Sequence, residues 1–588
     1  MSKKLGKQLV APTAALMLVA SLIGCSGGDN KNANSGASSA AATQNTQEVS
    51  STPSQKPAEV VKLSLYGPQF GGNYQSGEQT DEVAKEIEKR LGVSLQIETH
   101  PDEQKFNLML ASGDLPDVMV TEQKFIKQLV EGGRVLPLDE LVQSKGKQMV
   151  EEFPQKFEFS KKYYSNDTGK LYFVPGYDGP IPPAYTYDSV ALVTRWDLYK
   201  KLGYPEYKSL DDLLPILKKM QDLEPVNEQG QKVYALSPWF DWGLWSATTY
   251  PANNLNGASG DLVEFDAERN MKTNILQDDA AFWQGARFYN KANRLGILDP
   301  DSFTQKFENH VEKAKANRIL FSWVSWSGES DATKAYAAAG QKDKGFAALP
   351  PIKGGYQYNG DYNDLGQGSR LYAISKNSKN PEKAMELINF LNSYEGSELL
   401  LNGIEGKHWS VENGKPQMKP EIIQQSLNDP NFAATTGIGK YTNWVGHGPG
   451  SIDPKYNVPI DFFSSQEAFK AKLTDLDKEM SEHYGVEYPG QVVENAVKSG
   501  DIKFASFNGI YNAVTPTDSD DIKRIKDNIV QYLNKKIPEL VLTKNDEQYE
   551  SMKAGIIAKL KEMDVQKVID DAQTKAATAR ETAKPYLR

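Results

Sequence analysis

The sequence predicts an α/β protein whose folded part begins near residue 60 and divides into lobes that are discontinuous in sequence. Three observations carry that prediction. The folded part opens with a strand, a helix of about ten residues and a second strand, the unit from which parallel sheets are built. Apolar strands then flank Pro- and Gly-rich stretches twice, around 169–195 and 345–375, as chains do when they pass from one lobe to another. The chain's 588 residues also exceed one compact core at ~100 to 200 residues per domain. With 24 % charged and 39 % hydrophobic residues, the composition excludes collagen-like, wholly disordered and polytopic membrane proteins.

The elements follow in order. Lys3, Lys4 and Lys7 precede an apolar run from Leu9 to Leu22, which leads into Leu22-Ile23-Gly24-Cys25. Residues 26–59 are Ser, Gly, Ala, Asn, Thr and Gln with almost nothing to bury, a flexible tether spanning roughly 30 Å. Val61, Leu63 and Leu65 alternate as a strand. Thr80 is the expected N-cap of a helix bearing Val83, Ile87 and Leu91 and ending at Gly92, and Val93, Leu95 and Ile97 alternate again. A helix over Phe106–Ala111 leads to Leu115-Pro116-Asp117-Val118. Further helices are expected over Arg195–Leu202, from Ser209 to Met220, and after Asn380 and Pro381, with Ala384, Leu387, Ile388 and Leu391 as the last one's buried stripe. Beyond Asp518 the chain is helical, with Ile522, Ile525, Ile529 and Leu533 on one face and Met552, Ile556 and Leu560 on another.

Chemistry-bearing motifs are sparse. One cysteine permits neither an intramolecular disulfide nor Cys-Cys metal spacing. The five histidines are scattered, and there is no Gly-x-Ser-x-Gly elbow, Walker A loop or complete Gly-x-Gly-x-x-Gly. No catalytic residue, cofactor or metal is therefore expected. Tryptophans, however, cluster among turn residues: Trp239, Trp242 and Trp245 in one loop, Trp323 and Trp326 in another, with Trp409 and Trp444 further on. Amphipathic rings suit a ligand with apolar C–H faces and many hydroxyls, which describes a sugar, although core packing claims many tryptophans too. Arg370 precedes the strand Leu371-Tyr372-Ala373-Ile374, where its guanidinium could meet a carboxylate in a cleft. The candidate ligand contacts are thus Trp239, Trp245, Trp323, Trp326, Trp409, Arg370 and Asp117.

The Cys25 motif resembles a bacterial lipobox. Together with Ser112-Gly113-Asp114-Leu115-Pro116-Asp117-Val118, Gly169-Lys170-Leu171-Tyr172, Arg195-Trp196-Asp197-Leu198-Tyr199, Leu349-Pro350-Pro351-Ile352-Lys353-Gly354 and Gly403-Ile404-Glu405-Gly406-Lys407-His408-Trp409, it resembles family 1 extracellular solute-binding lipoproteins of ABC sugar importers, in their long oligosaccharide-binding Gram-positive subgroup.

The resemblance implies a type II periplasmic-binding-protein-like fold, two α/β lobes joined by a hinge around an interlobe ligand cleft. It implies lipid attachment at Cys25 after removal of residues 1–24, which lowers the formal charge from −10 to −13 and disfavours nucleic acid as a partner. The expected parts are a signal peptide at 1–24, a lipidated tether at 25–59, a first lobe of 60–180 plus 371–405, a second of 181–370 plus 406–517, and carboxy-terminal helices at 518–588 on the second lobe. The expected function is a monomeric, membrane-anchored, extracytoplasmic binding component that captures an oligosaccharide and delivers it to ABC permease subunits. The alternatives are the same architecture binding a peptide or other solute, or a surface-anchored carbohydrate-active enzyme. Some long relatives carry a calcium loop after the helix ending near Gln221; here Pro225 and uneven oxygen spacing over 222–232 predict none.

Overall fold

The computed structural model describes residues 60–68, 76–100, 103–243, 250–429 and 431–587; Cys25, the tether and Trp245 lie outside the described residues. The strands that organise it are β1 (Val61–Pro68), β2 (Val93–His100), β3 (Val118–Thr121), β4 (Val174–Pro175), β5 (Leu192–Arg195), β6 (Tyr234–Leu236), β7 (Ile319–Ser322), β8 (Phe346–Leu349), β9 (Tyr356–Tyr362), β10 (Leu371–Ile374) and β11 (Lys503–Asn508). In the first lobe β1 pairs in parallel with β2 and β3, and β10 closes the sheet antiparallel to β3 and β4, for a six-stranded order that begins with a short edge at Gly77–Glu78. Helix α1 (Glu82–Leu91) crosses from β1 to β2 and buries Val83 and Ile87. Its N-cap is Asp81, not Thr80. The Asp81 carboxylate accepts from the Ala84 N–H and also holds Lys440 Nζ at 2.7 Å, which a threonine hydroxyl could not do.

The second lobe is built on a four-stranded sheet in the order β8, β5, β7, β6, in which only β6 and β7 are parallel. Helix α2 (Leu210–Leu223), capped by Ser209, covers it with Leu213, Leu214, Leu217 and Met220. Between the lobes lies a parallel ribbon of β9 and β11.

Three chain segments run side by side where the lobes join, and the third lies at 445–451 rather than at the expected boundary between 405 and 406. The middle one, 176–179, bonds both neighbours: Gly176 N–H donates to Arg370 O at 2.8 Å, Gly179 N–H to Asn363 O at 3.1 Å, Tyr177 N–H to Val445 O at 3.0 Å and Asp178 N–H to Gly446 O at 3.0 Å. This third segment, 445–451, is Gly- and Pro-rich, and close packing uses that: a Cβ on Gly446 would sit 2.2 Å from the Asn392 backbone. Residues 406–464, expected with the second lobe, instead dock on the first. His408 Nε2 lies 2.8 Å from Glu82, and the Asn402 amide donates to Ile460 O at 2.8 Å.

Helices α3 (Asp520–Val541), α4 (Asp546–Glu562) and α5 (Val565–Ala583) end the chain. Ile525, Ile529 and Leu533 of α3, Ile556 and Leu560 of α4, and Val568, Ile569 and Ala576 of α5 join the second lobe's core. The last turns of α5 go elsewhere: Ala579 and Ala583 pack with Tyr66, Phe106 and Phe159 of the first lobe, and the Tyr586 ring stands 5.1 Å from Phe159. One helix therefore spans both cores.

The segment junction contains a buried charge cluster. Asp178, 2 % exposed, accepts from Lys156 Nζ at 2.8 Å and from His447 Nδ1 at 2.7 Å. Burial pushes the Asp178 pKa up, but the His447 and Lys156 charges outweigh it and hold the carboxyl at about 2. Burial likewise pulls His447 down, and Asp178 with Glu152 brings it net above its usual 6.5.

Asp178 thus stabilises the fold fully above its unfolded value of 3.8, and that contribution is lost as pH falls toward about 2. The His447 contribution is complete below 6.5 and is lost as pH rises through its raised folded value. Asp178→Asn is expected to cost ~3 to 5 kcal/mol by leaving Lys156 buried without a counter-charge. In thermal unfolding, the wild-type advantage over His447→Gln should shrink as pH rises from 6.5 through the raised folded value; an advantage that grows with pH contradicts the assignment.

Candidate functional site

The parallel strands β6 and β7 send their carboxyl-terminal loops, 237–243 and 323–328, to the same edge of the second sheet. In open α/β sheets that edge is where ligands bind. The two loops present a pair of exposed indoles. Trp242 and Trp326 are 48 % and 45 % exposed, with centroids 6.1 Å apart and planes 16° from parallel. Beneath them Phe307 lies 4.5 Å from Trp242, and Trp239 packs edge-on to both. Trp326 is oriented by its N–H, which donates to Ser189 O at 3.1 Å, next to the first lobe crossing.

The loops are fixed from below. His310, on the helix Phe307–Lys315, donates from Nδ1 to Ser237 O at 2.7 Å, and its Nε2 lies 3.0 Å from Ser327 Oγ and 3.1 Å from Glu329 Oε1. One buried imidazole therefore ties the Trp242 loop to the Trp326 loop. Gln305 adds bonds to Ser237 O and Pro238 O at 3.0 and 2.8 Å, and Ser237 Oγ donates to Asp299 at 2.7 Å. A platform held this way loses little freedom when a ring stacks on it.

At the junction itself Arg370, the residue before β10, places its guanidinium 3.8 Å above the Tyr177 ring, and Nη2 donates to Asn443 Oδ1 at 3.2 Å.

The other residues singled out in the sequence fall elsewhere. Trp323 is in the core, stacked 4.6 Å from Tyr250, with its N–H on the Tyr289 hydroxyl. Trp239 is 3 % exposed and supports the platform rather than forming its surface. The two Asp117 carboxylate oxygens are occupied by Ser378 Oγ at 2.6 Å and by the Ser64 N–H and hydroxyl at 2.9 and 2.7 Å, an arrangement that fastens β1 to the start of β3. Trp409 donates to Gly403 O at 3.1 Å and packs on Phe462. It lines a separate cavity of about 600 Å³ on the first lobe with Glu398 and Asp453. There burial and the neighbouring Asp453 push Glu398 up to about 9. Trp242, which the sequence reading passed over for its neighbours Trp239 and Trp245, is the exposed member of its loop.

The 222–232 loop is closed by Asn227, whose side-chain oxygen accepts the Gln229 and Gln231 N–H groups at 3.1 and 2.8 Å. No three acidic or imidazole groups converge as a metal cage among the described residues.

A sequence profile of the family described as bacterial extracellular solute-binding protein matches residues 71–398. Lipoprotein LipO of Bacillus subtilis is 23 % identical over 361 residues, 56 % of this chain and 64 % of that protein, so the match spans under two thirds of the relative's length. Among solved structures, the S. pneumoniae ABC-transporter substrate binding protein FusA, as an EF-hand mutant in complex with fructo-nystose, superposes with a TM-score of 0.59 at 14 % identity, covering 89 % of this chain and 100 % of that one. The alginate-binding protein AlgQ2 without calcium ion gives 0.56 at 18 % identity, covering 88 % and 98 %. At such identities the likeness shows the fold, and the fold is a two-lobe, type II periplasmic-binding-like one.

Removing Glu329 should loosen the platform without touching a tryptophan. Glu329→Ala is expected to destabilise by ~3 kcal/mol or more and to raise acrylamide quenching of tryptophan fluorescence. Unchanged quenching would show that the His310 tie does not order the loops.

Proposed function

Since the chain belongs to the bacterial extracellular solute-binding proteins, we propose that it is the capturing component of an ABC importer for an oligosaccharide, anchored through lipid on Cys25 at the outer face of the cell membrane. It binds and does not transform its ligand, acts as a monomer, and passes the cargo to the permease subunits. The observation that carries the sugar reading is the parallel, exposed Trp242 and Trp326 pair, which offers two flat apolar faces at the ligand edge of the second sheet. Sugar rings have apolar C–H faces that stack on indoles, while their hydroxyls take hydrogen bonds from the surrounding polar groups. The relatives give support of the same kind: FusA is described in complex with fructo-nystose and AlgQ2 as alginate-binding.

Capture is a population shift. Taking the lobes from 1 % to 99 % closed requires a ligand to favour the closed form by ~5.5 kcal/mol, several hydrogen bonds and one or two stacked rings. The three-segment junction is the element that bends.

Calorimetry of the mature protein against an oligosaccharide panel should give binding without product formation. Trp326→Ala and Trp242→Ala should each weaken it by about tenfold, ~1.4 kcal/mol, with the melting temperature nearly unchanged. Silence across all sugars, or binding of a peptide instead, defeats the reading; released product makes the protein an enzyme. Separately, Cys25→Ala should move the protein from the membrane fraction to the medium or soluble fraction, whereas continued membrane retention would refute the lipid anchor.

A further inference from the structure

We propose that the captured oligosaccharide is acidic and that Arg370 is the residue that reads its carboxylate, an inference that rests on the sugar-capture reading above. Arg370 combines a place at the lobe junction with the lack of an acid partner among the described residues. Arg195 is paired with Asp197 and Glu224, Arg287 and Arg294 with Asp546, and Arg90 with Glu86 and Glu395; the half-buried Arg134, Arg269, Arg318 and Arg580 also have no acid partner among the described residues, but they are not part of the three-segment junction. Among the described residues Arg370 has only neutral side-chain partners, Asn443 Oδ1 at 3.2 Å and Gln367 Oε1 at 3.5 Å. A guanidinium carries five N–H donors in one plane, so most of its fork is left over. In a chain with 77 acidic and 67 basic side chains, a half-buried cation facing no carboxylate is poised for one supplied from outside.

The fork is also aimed. Tyr177 lies 3.8 Å beneath the guanidinium, which stacks on the ring face and leaves the N–H edge available. To put its ring there Tyr177 adopts a φ of 57°, the left-handed region, unfavourable for a bulky side chain. Its N–H bond to Val445 O holds it, and Gly448 makes room, since a Cβ there would come 3.2 Å from the ring. Backbone strain of this kind persists where a surrounding structure imposes it, and it gathers at ligand clamps. Tyr177 and Arg370 come from two segments of the lobe junction and Asn443 from the turn that leads into the third, so the trio is assembled by the element that moves when the lobes close. Next to Asn443, the buried Trp444 Nε1–H makes no hydrogen bond among the described residues.

A planar carboxylate can take two parallel N–H bonds from such a fork, and a hydroxyl cannot. A neutral sugar would leave the cation partly desolvated with no compensation.

The test is calorimetry of the mature protein with α- and β-linked oligouronates, each paired with its carboxyl-reduced, neutral counterpart of the same length and linkage. Wild type should bind the acidic member about tenfold to a hundredfold tighter, with the margin shrinking as salt rises. Arg370→Gln should abolish the margin while keeping the weaker neutral affinity, which also reports that the variant is folded, and Arg370→Lys should recover only part. Equal binding of acidic and neutral members by wild type, or a margin that survives in Arg370→Gln, overturns the inference and leaves the sugar reading standing. Binding of neither member of any pair, with neutral oligosaccharides silent as well, removes both.

Discussion

The buried Asp178 carboxylate is the constraint from which the rest of the molecule is organised. It sits on the middle of three chain segments joining the lobes, and a charge there is tolerable only because Lys156 and His447 meet it from the first lobe and from the third segment. Its backbone is engaged as well, with its N–H on Gly446 O and its carbonyl accepting from Gly448 and Ser451. The junction is thus bonded sideways through all three segments, and a change in the angle between the lobes must be absorbed by φ and ψ beside this cluster rather than by separating the strands. One atom of the network is left over: the buried His447 Nε2 makes no hydrogen bond among the described residues, with Glu152 3.7 Å away.

The same junction positions the residues proposed to meet the ligand. Tyr177 is the residue before Asp178 and its main chain is fixed by Val445, so the ring that carries Arg370 is positioned by the hinge itself. On the second lobe, Trp326 reaches back to Ser189, a few residues beyond the first crossing. The guanidinium therefore rests on the junction directly, and the aromatic platform is tied to the chain that follows the first crossing. The helix α5 adds a second tie away from the junction, with one end in each lobe's core.

Much of this was legible in the residues. Val83 and Ile87, Ala384, Leu387, Ile388 and Leu391, and Ile522, Ile525, Ile529 and Leu533 are buried as their spacing requires, because a helix that must cover a core repeats its apolar residues every three or four positions. The first strand, helix and strand pair in the expected parallel register, Leu63 opposite Leu95. What periodicity could not supply was which of several like residues faces outward. Trp323 lies one residue beyond β7 and continues into the core, whereas Trp326, three residues later, has turned out past Ser325; both read as the same aromatic in the same turn. The docking of residues 406–464 on the first lobe depended on partners such as Glu82 and Asp81, more than 300 positions away in sequence.

The sequence by itself determined the α/β class, lobes discontinuous in the chain and the aromatic-rich, histidine-poor inventory, since these rest on local spacing and composition; the two-lobe plan came from the family resemblance of its motifs. Only the tertiary structure decided that Trp242 and Trp326 are the parallel exposed pair, that the third segment joining the lobes is 445–451, and that Arg370 rests on Tyr177 with no acid beside it among the described residues. Those are consequences of long-range packing and charge placement, in which each residue's environment is set by chain far from it.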